Sequence, residues 1–275
     1  MNVIKNYIHI GVDEPFCVLH ASDTHLTLCD DRNDERKREL ALSRSQSFPR
    51  CEYDLEFLKN KAIAENRTLI HTGDITDFVS ELNIDRVKAF CDKVDCFMSA
   101  GNHEFSLYVG EAKEDNAYRN QSLEKVQAAF TNNIRMSSRI ICGVNFVAID
   151  NSYYLIDEEQ FFFLKKEIEK GLPVILAVHI PLYSERFYAF CRKDVKSPGN
   201  LLAVPEELMR DYSAHRYEQQ KADALTREVY EYIMSCDSIK AILTGHIHEN
   251  FEASISENIY QIATGVSTVR EIYVD

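Results

Sequence analysis

The sequence lacks several features that mark particular classes of protein. Its eight cysteines are scattered and form no Cys-x-x-Cys pair, which disfavours a zinc site built from thiolates. No apolar stretch reaches the roughly 18 residues that a membrane-spanning helix needs. The amino-terminal residues also lack the apolar segment of a secretory signal. We therefore expect a cytoplasmic protein without a membrane span, whose cysteines are reduced.

Positive charge is also scarce. The formal net charge is −13 and no long run of Lys and Arg interrupts the acidic background, so a nucleic-acid polymer is not expected as a ligand. A hydrophobic content of 45% with 27% charged residues is ordinary for a globular protein. No internal repeat and no linker divides the 275 residues. We predict a single domain over residues 1–275.

Five short apolar runs stand out, and each is followed by Asp, Asn or His. They cover residues 16–21, 68–71, 95–99, 174–178 and 241–244. Their length and their bounding Gly, Pro or Asp residues are typical of strands. Helical spacing appears between them, at residues 53–66, 85–94, 157–171 (with Asp157 as N-cap) and 218–235. This alternation predicts an α/β fold.

Other segments modify that picture. Residues 138–141, 145–150 and 251–275 look like consecutive strands without helices, which favours a mixed sheet or two sheets. Residues 30–50 are highly charged and read as a surface loop with a short helix. Residues 183–217 are aromatic-rich and irregular, as lids and other functional loops often are. We treat both as insertions.

The polar side chains after the five runs form a set of metal donors. In α/β sheets, ligands gather beyond the carboxyl ends of the strands. Carboxylate, amide and imidazole donors suit Zn, Mn or Fe, and seven donors suit two ions that share a carboxylate. Taken alone, Gly73-Asp74 is an ordinary turn pair and His179 an ordinary core histidine. The donors are Asp23, His25, Asp74, Asn102, His179, His246 and His248.

The same residues occur in a characteristic order. Asp-x-His stands at 23–25, Gly-Asp at 73–74, Gly-Asn-His-Glu at 101–104, a histidine at 179 and Gly-His-x-His at 245–248. This order, over roughly residues 16–250, resembles the calcineurin-like metallophosphoesterases, in which Asp is commoner at the position of Glu104. The complete set is similar to that of the small bacterial phosphodiesterases of this family.

The resemblance implies a fold and a site. The fold would be a two-sheet β-sandwich flanked by helices, and the site would hold two divalent or trivalent ions of Mn, Fe or Zn. Besides the ligands, His103 would be the general acid or a stabilising cation, with Glu104 orienting it. The implied ligands are Asp23, His25 and His248 for one ion, Asn102, His179 and His246 for the other, and Asp74 as the bridge.

The resemblance also implies an activity. The expected reaction is hydrolysis of a small phosphorylated substrate, a nucleotide-like or glycerol-type phosphodiester. A phosphomonoesterase and a non-catalytic metal-binding scaffold stay open as alternatives, although the presence of His103 and every donor argues against a scaffold. His20 and His71 are expected in the core or next to the metal ligands, whereas His215 is either a substrate contact or a surface residue. The aromatic residues of the second insertion either stack on a base or pack as a lid.

Overall fold

Two mixed β-sheets pack against each other in a computed structural model that describes residues 1–110 and 115–275. The sheet orders are β1-β11-β2-β3-β4 and β5-β6-β7-β8-β10-β9. This arrangement confirms the predicted α/β, two-sheet architecture. The strands are β1 (Asn2–Ile8), β2 (Phe16–Ala21), β3 (Leu69–His71), β4 (Cys96–Met98), β5 (Met136–Ile141), β6 (Val144–Ile149), β7 (Val174–Ala177), β8 (Ile239–Thr244), β9 (Phe251–Ser254), β10 (Tyr260–Ala263) and β11 (Thr268–Val274).

Strand direction brings the five predicted strand ends together. In the first sheet β2, β3 and β4 are parallel neighbours, and β11 pairs antiparallel with β2. In the second sheet β6, β7 and β8 are parallel neighbours. Parallel strands carry their carboxyl ends to the same edge of a sheet. The loops after β2, β3 and β4 therefore leave one edge, and those after β7 and β8 leave one edge of the other sheet.

Successive side chains of the strands point to opposite faces of the sheet and lie in two different hydrophobic cores. Val18 and Ile70 point into the sandwich interior with Phe146 and Leu243 of the second sheet. Their neighbours Leu19 and Leu69 point the other way, towards the helices, because successive strand side chains face opposite sides. Burying each such side chain stabilises the fold by roughly 1.5–3 kcal/mol.

Helices cover the outer faces of both sheets. Helices α2 and α3 pack on the first sheet, and α6 and α9 pack on the second. No helix in the described ranges is long and apolar enough to cross a membrane. The helices are α1 (Glu35–Ser47), α2 (Cys51–Glu65), α3 (Glu81–Cys91), α4 (Asn116–Asn120), α5 (Leu123–Gln127), α6 (Glu158–Ile168), α7 (Glu185–Phe190), α8 (Ala214–Gln220) and α9 (Ala224–Ser235).

Some predicted boundaries hold and others fail. Asp157 caps α6 in a full capping box with Gln160, as predicted. The single helix predicted over 218–235 is wrong: α8 ends before Lys221, and the Asp223 side chain accepts the Thr226 N–H to start α9. Strand β1 was not predicted, because it is an edge strand whose side chains are mostly exposed and show no apolar alternation.

The two insertions are more ordered than expected. Residues 30–50 contain the thirteen-residue helix α1, started by Asp34, whose side chain accepts the Lys37 N–H. The second insertion packs as a small core of its own, in which Phe187 and Phe190 lie against Phe251 of β9. The expectation of an irregular segment is therefore wrong for this part of the chain, whereas its role as a lid stays a prediction.

Candidate metal centre

All seven predicted donors lie in loops that leave the carboxyl ends of the parallel strands. Asp23 and His25 follow β2, Asp74 follows β3, and Asn102 follows β4. The remaining three, His179, His246 and His248, follow β7 and β8 of the other sheet. Most of these side chains are buried, whereas 42% of the His248 side chain is exposed. The centre therefore lies at the rim of the sandwich, between the two sheets.

Five of the donors have an unusual backbone conformation. Their φ angles lie between 50° and 68°, in the left-handed region that non-glycine residues rarely adopt. Such residues cost free energy and gather at functional sites, where the surrounding structure holds them in place. The five are Asp23, His25, Asp74, His246 and His248.

Two glycines allow the donor loops to approach each other closely. A Cβ atom on Gly101 would collide with the carboxylate and the backbone nitrogen of Asp74. A Cβ atom on Gly245 would collide with the side chains of Ser22 and Asp23. Only glycine fits at these positions of the Gly-Asn-His and Gly-His-x-His motifs, because any side chain would clash with the ligand loop that packs against it.

One group of donor atoms comprises Asp23, His25, Asp74 and His248. These atoms all lie within 4.8 Å of one another. Nε2 of His25 is 3.6 Å from Oδ1 of Asp23, 3.7 Å from Oδ2 of Asp74 and 3.1 Å from Nε2 of His248. Four convergent oxygen and nitrogen donors can hold one transition-metal ion.

A second group comprises Asp74, His179 and His246. Nε2 of His179 is 3.1 Å from Oδ2 of Asp74 and 3.2 Å from Nδ1 of His246. Asn102 supplies a further signal, because its Oδ1 is buried and has no hydrogen-bond partner. A buried acceptor without a donor is available to a water molecule or to a cation. The residues present therefore fit two ions, with Asp74 common to both groups.

The outward ring nitrogens of three histidines are held by other groups. Nδ1 of His25 lies 2.9 Å from Oδ1 of Asp77, and Nδ1 of His179 lies 2.7 Å from the Thr72 carbonyl oxygen. Nε2 of His246 lies 2.8 Å from the Tyr154 hydroxyl. Each contact orients its ring so that the opposite nitrogen faces the donor group.

Two of these orienting residues carry little or no signal in the sequence. Asp77 had a weak signal, since it is a second aspartate in the loop that carries Asp74. Tyr154 had none, because it follows β6, a strand without any predicted ligand.

The electrostatic field of the centre favours positive charge. Burial alone would lower the pKa of His25, but Asp23 and Asp77 raise it to about 10. Burial opposes charge on His179 as well, yet Asp74 raises its pKa to about 9. By contrast, burial and the neighbouring His179 lower the pKa of His246 to about 3, so its imidazole is neutral and suited to ligation. The same carboxylates that stabilise a proton here stabilise a cation.

His103 lies beside the donors but is oriented differently from the prediction. Glu104 does not contact its ring; the Glu104 carboxylate accepts the backbone N–H groups of Asp74, Thr76 and Gly101. Burial, together with the charge of Asp74, raises the pKa of Glu104 to about 7. Nδ1 of His103 instead lies 2.8 Å from the carbonyl oxygen of Asp77 and 3.4 Å from its Oδ1. Glu104 orders the loops, and Asp77 orients His103.

The other histidines and the aromatic insertion do not belong to either group of donor atoms. His20 and His71 are fully buried, as predicted, and hydrogen-bond to Thr72 and Thr24 respectively. His215 is exposed on α8. The insertion aromatics mostly pack on one another and on β9: Tyr183 on Tyr188, and Phe187 and Phe190 on Phe251. This packing favours the structural interpretation of these side chains over base stacking.

Comparison with known proteins gives similar folds and one matching family. A dimetal phosphatase from Danio rerio has a TM-score of 0.56 at 12% identity, covering 92% of this chain and 88% of that one. A phosphopantetheinyl hydrolase from Mycobacterium tuberculosis has a TM-score of 0.45 at 11% identity, covering 91% and 89%. A comparison with curated proteins gives no match. The family model of the calcineurin-like phosphoesterases matches residues 17–250, and the chain therefore belongs to this family.

Proposed function

We propose that this protein is a phosphodiesterase that hydrolyses small nucleotide-like or glycerol-type diesters with two bound metal ions. Membership of the family already implies a hydrolase that acts on phosphoesters. The observation that carries the two-ion proposal is that Asp74 belongs to both groups of donors. A carboxylate that belongs to two sets of ligands suits a pair of adjacent ions. A single ion would need only one of the two sets.

The seven donors would divide between the two ions as the motifs imply. When bound, such ions supply Lewis-acid polarisation of the phosphoryl oxygens and activation of water as a nucleophile. The protein's own contribution is to place the donors and to keep their rings oriented through outer hydrogen bonds. The assigned sets are Asp23, His25 and His248, then Asn102, His179 and His246, with Asp74 in both.

His103 would act on the substrate itself. Its side chain is 17% exposed, so one edge of the ring reaches the open face of the centre. The Asp77 carbonyl accepts the Nδ1–H, which leaves Nε2 as the nitrogen available to the substrate. In its protonated form, Nε2–H donates to the leaving alkoxide or to a phosphoryl oxygen.

The charge around the centre supports a diester over a monoester. At neutral pH a phosphodiester carries one negative charge, whereas a monoester carries close to two. The guanidinium of Arg44 reaches the centre, but Asp77 binds it through both carboxylate oxygens. Arg44 is therefore not free to pair with the second negative charge of a monoester, which the two ions and His103 would have to neutralise, and this supports the singly charged diester.

We also propose a cytoplasmic location. All eight cysteines are free thiols, which suits a reducing compartment. Fractionation of cells that express the tagged protein tests this; recovery from an oxidising compartment with disulfides formed would contradict it.

The test of the activity combines metal content with two chromogenic esters. The purified protein, loaded with Mn²⁺, Fe²⁺ or Zn²⁺ in turn, is assayed on bis-p-nitrophenyl phosphate and on p-nitrophenyl phosphate. We expect about two ions per chain and faster hydrolysis of the diester. Asp74→Asn should lose metal and activity together, whereas His103→Ala should keep the metal and lose activity by roughly 100-fold or more.

Each alternative has its own result. Faster hydrolysis of the monoester would favour the phosphomonoesterase. If the protein binds two ions but hydrolyses neither ester with any of the three metals, the non-catalytic scaffold is favoured. If His103→Ala slowed only diesters with poor leaving groups, proton donation would be its role; equal slowing for all leaving groups would indicate charge stabilisation.

A further inference from the structure

Helix α1 carries two side chains that reach the candidate metal centre from a charged segment. Arg44, in its last turn, donates from Nε to Oδ2 of Asp77 at 2.6 Å and from Nη2 to Oδ1 at 2.8 Å. Phe48, the residue that ends the helix, stacks on the ring of His25 with centroids 4.0 Å apart and an interplanar angle of 12°. The Arg44 guanidinium also lies 5.2 Å from the centre of the Phe48 ring.

Asp77 lies between Arg44 and two histidines of the centre, His25 and His103. The Asp77 carboxylate is fully buried and also lies 2.9 Å from Nδ1 of His25, while its carbonyl accepts from His103. A two-pronged guanidinium–carboxylate pair fixes the plane of the carboxylate as well as its charge. The orientation of the His25 ring therefore depends on Arg44 through a single intervening residue, whereas His103 bonds the Asp77 backbone carbonyl and lies 3.4 Å from its carboxylate.

The helix has few other contacts that could hold it. Of its thirteen residues only Lys37 and Ala41 are buried, whereas a surface helix normally buries an apolar stripe. The Lys37 ammonium donates to the Val79 carbonyl at 2.7 Å. Because α1 lacks an apolar face, its docking relies on polar and ring contacts. Besides this bond, Arg36 and Lys37 lie over the Tyr108 ring at 4.1 and 4.7 Å, and Arg44 and Phe48 contact the centre.

We propose that Arg44 and Phe48 are positioning residues of the metal centre, and that docking of α1 is coupled to metal binding. The inference rests on the proposed function, because His25 must be a ligand for the coupling to exist. Arg44 holds the Asp77 carboxylate in the plane that orients His25, and Phe48 covers one face of the His25 ring. An ion on His25 then favours the docked helix, and the docked helix favours the ion to the same extent.

Metal affinity is the readout that a merely structural role would not change. Mn²⁺ affinity of the full-length protein is measured by competition with a chromogenic chelator. We expect Arg44→Ala and Phe48→Ala to weaken binding roughly tenfold, the lower end of the range for residues that orient metal ligands. Guanidinium ion at a non-denaturing concentration should restore part of the affinity of Arg44→Ala and leave Phe48→Ala unchanged.

Matched controls separate positioning from general loss of contacts. Arg135 is exposed to a similar degree as Arg44 (22% against 25%) and pairs with Asp157 at the start of α6. Phe57 is half-buried on α2. Arg135→Ala and Phe57→Ala should leave the Mn²⁺ affinity unchanged. If Arg44→Ala fails to fold, the Mn²⁺ affinities of Arg44→Lys and Phe48→Leu are measured instead. We expect these affinities to be a few fold weaker than that of the wild type.

Hydrogen exchange tests the coupling itself. In the wild-type protein, Mn²⁺ should slow amide exchange within α1, and Arg44→Ala should lose this protection. Affinity and protection equal to wild type in both α1 variants would overturn the inference. Absence of metal binding by the wild-type protein would instead overturn the proposed function, so the two failures are distinguishable.

Discussion

The Tyr154 hydroxyl lies 2.8 Å from Nε2 of His246, and the opposite ring nitrogen, Nδ1, lies 3.2 Å from Nε2 of His179. An imidazole that ligates a cation through Nδ1 carries its proton on Nε2. That N–H can donate to the Tyr154 oxygen, which favours the tautomer suited to ligation. Tyr154 itself has a φ of 60°, so the backbone of the loop after β6 is strained at the residue that carries this hydroxyl.

Replacing Tyr154 by Phe should weaken metal binding without disturbing the core. The ring is retained, while His246 loses the partner that orients it, so we expect metal affinity to fall by roughly 10-fold. Chelator competition measures the change. Tyr153→Phe is the control, since Tyr153 is equally buried but lies beside Arg119 rather than at a donor group. Equal affinity of Tyr154→Phe and wild type would contradict the orienting role.

Metal ions should raise the thermal stability of the protein. A ligand that binds only the folded state stabilises it by about 2.7 kcal/mol at one hundred times its dissociation constant. We expect the melting temperature to rise with Mn²⁺ concentration and to fall on addition of EDTA. Asp74→Asn removes the carboxylate shared by both donor groups, so it should abolish most of the rise. An equal rise in Asp74→Asn would rule out Asp74 as a shared ligand.

Gly101→Ala should damage the centre more than its small size suggests. The added methyl group would occupy the position of the Asp74 carboxylate and backbone, so either Asp74 or the loop after β4 must move. The control is Gly171→Ala, where there is open space but φ is 72°, with an expected cost of about 1 kcal/mol. Denaturant titration and metal content compare the two. Retention of two ions by Gly101→Ala would show that the loops tolerate the displacement.

The cysteines should differ sharply in reactivity. Burial raises the pKa of the Cys191 thiol to about 12, so at pH 8 almost none of it is the reactive thiolate. Cys142 is exposed in the turn between β5 and β6. Iodoacetamide at pH 8, followed by mass spectrometry, should label Cys142 first and Cys191 only after unfolding. Labelling of Cys191 at the rate of Cys142 would mean that the small core around α7 opens readily.

The strands that carry the donors were predictable because their signal is local. The run 174–178 is continuously apolar, and β7, which it contains, is fully buried, so the apolar sequence and the burial of the strand report the same property. The capping box of α6 is local for the same reason. The break between α8 and α9 was missed, since an Asp within a helical pattern becomes a cap only when the chain turns there.

Helix α1 shows a second reason why contacts could not be predicted from the sequence. Its residues are so polar that the pattern indicates only a solvated segment, and nothing nearby in sequence identifies Asp77 or His25 as its contacts. The misassignment of Glu104 has a similar cause. The resemblance implied that Glu104 orients His103, but in the 3-10 turn His103–Phe105 the two side chains contact different neighbours.

The sequence by itself therefore determined the chemistry of the donors, their place at strand ends and the family to which their order belongs. These follow from residue type and short spacing, which the chain carries whatever its tertiary arrangement. Only the tertiary structure decided that Tyr154, Asp77, Arg44 and Phe48 surround those donors. Their contacts join residues far apart in the chain, such as Tyr154 and His246, and such distances become short only when two sheets and a polar helix pack together.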